Sequence, residues 1–235
     1  MKQIQYIYKT SILLMLVALV TFSCTKKSAP NKKNKKAKKG QVEIPVDKNK
    51  IRATIIKNLQ YNTDGSYSSY FLDTITGTKC VLKFPANCFE LAKKEGYTIQ
   101  DVVDSCQNRV FTVMYRMMRE LKCTEIQFSS LWRPYTPGNP NSPHNTGRGM
   151  DITRMKSKYG DTYFSINAGG SESAYTKLIR AWCYPKNIDI TQYFSPWQMC
   201  NEKTNCNGAC CENDHTSPNH KLHLTHLHLT VKADY

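Results

Sequence analysis

The sequence predicts an α+β fold, a small and mostly antiparallel sheet flanked by helices, with a cleft on its surface. Three observations carry that prediction. Residues 67–73 and 79–84 are β-rich and flank a Thr-Ile-Thr-Gly-Thr turn, which predicts a hairpin. Val102, Val103, Cys106, Val110, Val113, Met114, Met117, Met118 and Leu121 then recur at helical spacing. Helical and strand-like segments mix without the regular βαβ order of a parallel sheet.

In chain order, Thr98-Ile-Gln-Asp101 offers a side-chain cap for a helix expected to run unbroken to about Leu121. The methionines on this helix read as core packing. Residues 125–130 read as a strand leading into a loop rich in Pro, Asn and Gly, residues 132–149. A second strand is expected at 150–154, a helix capped by Ser171 at 171–184, and a last strand at 222–231.

The chain has 235 residues, and its first part reads as targeting rather than fold. A basic start is followed by an apolar run from Ile12 to Val20 and then Thr21-Phe22-Ser23-Cys24. That run is too short to cross a bilayer, which takes about 20 residues. A cysteine closing such a segment resembles the lipobox of bacterial lipoproteins, with Cys24 as the lipidated mature terminus; an ordinary signal peptide is the alternative. Both readings export the protein. Residues 1–24 are therefore read as a lipoprotein signal, 25–50 as a Lys-rich tether, and 51–235 as the functional domain. The expected location is the cell envelope or periplasm, with membrane attachment through the lipid and the basic tether.

The net charge of +15 suggests a nucleic-acid partner only until it is located. Residues 1–50 hold 12 Lys and Arg against 2 acids, whereas the remaining 185 hold 21 against 16. The excess belongs to the Lys26 to Lys39 stretch, whose composition cannot bury a core. It reads as a solvated spacer that also attracts anionic headgroups. No nucleic-acid partner is expected.

Ten cysteines suit an oxidising compartment. With Cys24 set aside, nine remain, so disulfides are expected with at least one thiol left over. Cys200, Cys206, Cys210 and Cys211, followed by His215 and His220, are either disulfide-bonded or a structural zinc site.

The six histidines are concentrated: one at 144 and five between 215 and 228. His226 and His228, two apart on a strand, share a face, while Leu227, Leu229 and Val231 face the other way into a core. His144 and Asp151 lie seven apart in Ser-Pro-His-Asn-Thr-Gly-Arg-Gly-Met-Asp, with Gly147 and Gly149 expected to supply unusual backbone angles. Two imidazoles and a carboxylate suit an open tetrahedral zinc site in a cleft.

Ser-x-His-x-x-Gly-x-x-x-Asp followed far downstream by His-x-His resembles the LAS metallopeptidases. That group holds the D-Ala-D-Ala peptidases, the lysostaphin-type enzymes, the murein endopeptidase MepA and the Hedgehog amino-terminal domain. The resemblance covers about residues 128–231. It implies Zn²⁺ held by His144, Asp151 and His228, with His226 handling protons and Arg133 holding substrate or its developing charge. His223 resembles an extra histidine of the MepA branch, although a regular strand would aim it away from His226. Where the D-Ala-D-Ala branch has a catalytic Glu, three residues before the last ligand, this chain has Thr225, so the histidine-based branch fits better. The implied activity is hydrolysis of D-amino-acid-containing peptides of peptidoglycan. The alternative is a catalytically inactive zinc-containing lipoprotein that binds cell wall or protein.

Overall fold

Alternating inward apolar residues build the sheet outward from its hairpin. β1 (Gln60–Tyr61), β2 (Tyr67–Asp73) and β3 (Thr78–Phe84) pair antiparallel, and Phe71, Cys80, Leu82 and Phe84 turn inward. The computed structural model describes residues 47–73, 76–165, 172–183, 189–197, 199–201 and 222–234. All of these belong to one unit, Pro45–Tyr235. β4 (Cys123–Ser130) runs parallel to β3, and β5 (Gly149–Ser157) antiparallel to β4. β6 (Gly160–Tyr163), β7 (Ile190–Phe194), β8 (Met199–Asn201) and β9 (Leu227–Val231) complete a nine-stranded sheet of order β1-β2-β3-β4-β5-β9-β7-β8, with β6 on β5.

The fold is α+β and mostly antiparallel, as expected, but the sheet is larger than the small one predicted. β1, β6, β7 and β8 escaped prediction because strands of two to five residues carry little periodic pattern. The last strand is shorter than expected: β9 begins at Leu227, and residues 222–226 form a turn before it.

The single parallel pair needs a crossover. It carries a 3₁₀ turn (Ala86–Phe89) and three helices: α2 (Glu90–Lys94), α3 (Ile99–Ser105) and α4 (Asn108–Glu120). An earlier helix, α1 (Lys48–Lys57), starts within the segment read as tether and packs on α4 and β2. α5 (Ala174–Cys183) covers β6 and β7. Its cap is Ser173, whose Oγ accepts from Thr176 N at 3.1 Å. The expected cap, Ser171, and the expected end at Tyr184 lie outside the described residues. Among the described residues, no helix is long and apolar enough to cross a membrane.

The helix expected to run unbroken to Leu121 is two helices. Thr98 and Asp101 form the predicted capping box, but Cys106 and Gln107 are extended, with ψ of 138° and 149°. The apolar spacing keeps its phase across the break, which is why periodicity did not reveal it. Hydrogen bonds hold the break open. Gln107 N donates to Gly147 O at 2.9 Å, Gln107 Nε2 to Thr146 O at 3.0 Å, and Arg52 Nη2 to Cys106 O. Asp234 N donates to Gln107 Oε1 at 2.8 Å. Gly147 has φ +69°, and a Cβ there would lie 2.1 Å from Ser105 O, so the loop docks against the break only through a glycine. The methionines of α4 are buried, as core packing requires.

Cys80, Cys88, Cys106, Cys123 and Cys183 are buried free thiols, against the expectation of disulfides. Each occupies an inward position and packs as a small apolar side chain. Burial pushes the Cys106 and Cys123 thiols up to about 12. The dense Cys200 to His220 group lies outside the described residues, but for the backbone of Cys200.

Two predictions follow from this packing. Burial raises all five thiols, Cys106 and Cys123 to about 12, so fewer than about one in a thousand of those two is ionised at pH 8, and all five are closed to solvent. Peptide mapping should therefore find all five unlabelled by iodoacetamide in the native protein, and labelled after unfolding without reductant. Labelling that needs a reductant would show disulfides instead. Gly147→Ala should lower stability by about 2–4 kcal/mol in a denaturant titration, since it adds strain at positive φ to a backbone clash.

Candidate metal centre

The centre is assembled from two neighbouring strands and one loop. Asp151 on β5 and His228 on β9 are directly paired, so both side chains stand on one face of the sheet. Met150, Ile152, Leu227, Leu229 and Val231 are fully buried and lock that register, as the sequence predicted. His144 arrives from the loop. Its carbonyl accepts from Arg133 N and Gly147 N, and Pro143 O accepts from Arg148 N and Gly149 N. Trp132 Nε1 donates to Asn145 O at 3.2 Å. Gly149 contributes space rather than an unusual φ: a Cβ there would lie 2.9 Å from the His144 ring.

Three donor atoms converge. His144 Nε2 lies 3.2 Å from Asp151 Oδ1 and 3.3 Å from His228 Nδ1, and His228 Nδ1 lies 2.7 Å from the same Oδ1. All three residues are buried, and the group could hold a metal ion. Hydrogen bonding behind the rings fixes their tautomers. His144 Nδ1 lies 2.6 Å from Leu131 O, an acceptor, so Nδ1 carries the proton and Nε2 a lone pair. Thr230 Oγ1 donates to Gln192 Oε1 at 2.6 Å, so it accepts from His228 Nε2 at 2.9 Å and leaves Nδ1 bare. Burial lowers the His144 pKa and keeps the ring neutral. Arg133 Nη2, 3.3 Å from Asp151 Oδ2, forms an ion pair that favours the carboxylate form of Asp151. With these tautomers a carboxylate and two lone pairs face one point, an arrangement that a cation would favour.

The other predicted residues gather around this group. His226, on the turn rather than the strand, places Nε2 3.6 Å from Asp151 Oδ1, and burial lowers its pKa. Thr225 Oγ1 lies 3.5 Å from His226 Nδ1. Arg133 Nη2 donates to Asp151 Oδ2 at 3.3 Å. His223, a candidate catalytic residue from the resemblance, would face away on a regular strand. Because residues 223–226 turn, its ring lies 5.1 Å from that of His226 and 5.3 Å from that of His228. Phe194 stacks on His228 with centroids 5.9 Å apart.

Sequence reasoning missed Thr230, Gln192, Phe194 and Arg148. Thr230 was discoverable, since it shares a strand face with His228. Gln192 and Phe194 come from a strand too short to predict. A cleft of about 800 Å³ opens over the centre, lined by Arg133, Arg148, Asp151, Gln192 and the four histidines 144, 223, 226 and 228.

Comparisons of the chain with protein-family profiles, curated proteins and solved structures find no match. The centre is therefore read from its own chemistry.

Asp151→Ala should abolish metal binding measured by elemental analysis of the dialysed protein. Thr230→Val should keep the fold but weaken metal affinity by roughly 10- to 100-fold in a chelator competition, because His228 loses its partner.

Proposed function

We propose that this chain is a zinc-dependent peptidase acting on cell-wall peptides, of the LAS type that its motifs resemble. The observation that carries the reading is the convergence of two bare imidazole nitrogens and a carboxylate oxygen at one point. Ligands 2.0–2.1 Å from a tetrahedral zinc lie about 3.3 Å from each other. Two of the three separations, 3.2 and 3.3 Å, match that edge, and the third is shorter at 2.7 Å. Nitrogen and oxygen donors with a place left for a fourth ligand favour zinc over the harder, oxygen-seeking cations.

Zinc in such a set supplies a Lewis acid and a water acidified toward pH 7. The remaining work falls to the chain's own residues. Amide hydrolysis must remove a proton from the attacking water and return one to the departing nitrogen. His226 is neutral, borders the ligand group and is partly open to the cleft, so it can take the proton at Nε2 and give it back. Arg133 lies beside Asp151 and lines the cleft, with 23% of its side chain exposed. Its guanidinium can serve the oxygen on which negative charge develops. His223 backs His226 and limits its motion. Thr225 stands where a glutamate-based branch would carry its carboxylate, which supports the histidine as proton carrier.

Peptidoglycan is the substrate class that the motif resemblance and the export signal support together. The product is a shorter cell-wall peptide, released by endopeptidase or carboxypeptidase cleavage.

The test is mass spectrometry of peptidoglycan fragments incubated with the purified chain, with and without a zinc chelator. New peptide ends that disappear with chelator are expected. His226→Ala should retain zinc and lose about 100-fold or more in turnover. A zinc-loaded protein that leaves every muropeptide intact would favour the binding lipoprotein instead.

A further inference from the structure

The cleft holds more positive charge than the metal centre uses. Asp151 is the one carboxylate among the described residues that line it, and that carboxylate is committed to the ligand group and to Arg133. Arg133 is likewise committed at Nη2 to Asp151. Arg148 lines the same cleft and has no such partner. Its Nε donates to Thr146 Oγ1 at 3.1 Å, and its guanidinium forms no ion pair among the described residues.

The position of Arg148 is fixed although its head forms no ion pair among the described residues. Arg148 N donates to Pro143 O at 2.9 Å, and Arg148 O accepts from Val231 N at 3.0 Å. The same loop turn and strand that carry His144 and His228 therefore carry this side chain. The bond to Thr146 turns the guanidinium by its Nε edge and leaves the two terminal nitrogens for a ligand. A planar fork with two parallel N–H groups matches a carboxylate. With a divalent ion bound, the two guanidinium groups make the described lining of the cleft positive, which favours an anionic ligand.

We propose that Arg148 is a specificity residue that holds a free carboxylate of the substrate close to the bond that is cut. This rests on the peptidase reading above. A cleft of about 800 Å³ is roughly 9 Å across, or two to three residues of extended chain at ~3.4 Å each. The carboxylate held by Arg148 therefore belongs to a residue that flanks the scissile amide, not to a remote part of the polymer. Peptides in which that group is an amide lose the paired N–H contacts and the charge attraction together.

The experiment compares two synthetic D-alanine-containing cell-wall peptides that differ only in a carboxylate beside the scissile amide, free in one and carboxamide in the other. The zinc-loaded full chain should cut the carboxylate form with a kcat/KM roughly 10- to 100-fold higher. Arg148→Gln should erase that preference by slowing the carboxylate form alone, and Arg148→Lys should restore part of it. Zinc content and melting temperature measured on each variant separate this from loss of fold. Equal slowing of both peptides by Arg148→Gln, or an unchanged preference, would overturn the proposal. If the wild type cuts neither peptide, the peptidase reading fails on its own. Calorimetric titration of both peptides into the wild-type and Arg148→Gln proteins then decides the anchor independently. Tighter binding of the carboxylate form, lost on Arg148→Gln, supports it; equal binding of the two forms by the wild type overturns it.

Discussion

The pairing of Asp151 with His228 across β5 and β9 is the constraint on which the centre depends. Side chains alternate along a strand, so a shift of one residue in that register would turn a ligand from the cleft into the core. Buried apolar residues prevent the shift. Met150 and Ile152 on one strand, and Leu227, Leu229 and Val231 on the other, have no solvent exposure. The hydrophobic pattern that holds the sheet together is thus the same pattern that aims the ligands. Irregularities in the β4–β5 register fall at Gln127/Phe128 and Phe128/Ser130, next to the pairing of Ser130 with Asp151. Such bulges increase local twist and re-aim side chains, and here they sit beside a ligand.

The third ligand is placed by a different device. His144 lies in an irregular loop, which alone would be too mobile to hold an imidazole to a fraction of an ångström. The loop is anchored to the helical layer instead. Gly147 fills the gap between α3 and α4, and Gln107 donates from its backbone N to Gly147 O and from its side chain to Thr146 O. The helix break and the loop therefore belong to one structure: a continuous helix would supply no free N–H at Gln107 and no room for Gly147.

This arrangement explains what the sequence could and could not tell. The ligands were legible because their types and spacing carry chemistry directly, and because the period of two in a strand puts His228 opposite the buried leucines. The hairpin and the capping box were legible for the same local reasons. The helix break was not, since Val102, Cys106 and Val110 keep helical phase through it and the cause lies 40 residues away, in Gly147. The place of His223 beside His226 was legible only through the resemblance, since a strand from residue 222 would aim it away, whereas a turn at 223–226 folds it back. The disulfide expectation followed compartment and cysteine number. For the five described thiols burial decides instead, since they are spent on packing; the Cys206 to Cys211 group lies outside the described residues.

Exposure grades across the centre in a way that fits the roles proposed for each residue. The side chains of His144, His228 and Asp151 are 1%, 7% and 8% exposed, whereas those of His226 and Arg133 are 18% and 23% exposed. The three deep side chains would lose little order on binding an ion, because packing and their partners have already fixed them; the carbonyl of Leu131 holds one ring and Thr230 the other. Groups that exchange protons or grip a substrate cannot be buried so deeply, since each must meet a molecule that arrives from solvent. His226 and Arg133 stand at that boundary, close enough to Asp151 to feel its charge and open enough to the cleft to be reached. The chain thus divides rigidity from access over a few ångströms, with β5 and β9 supplying the first and the turn before β9 the second.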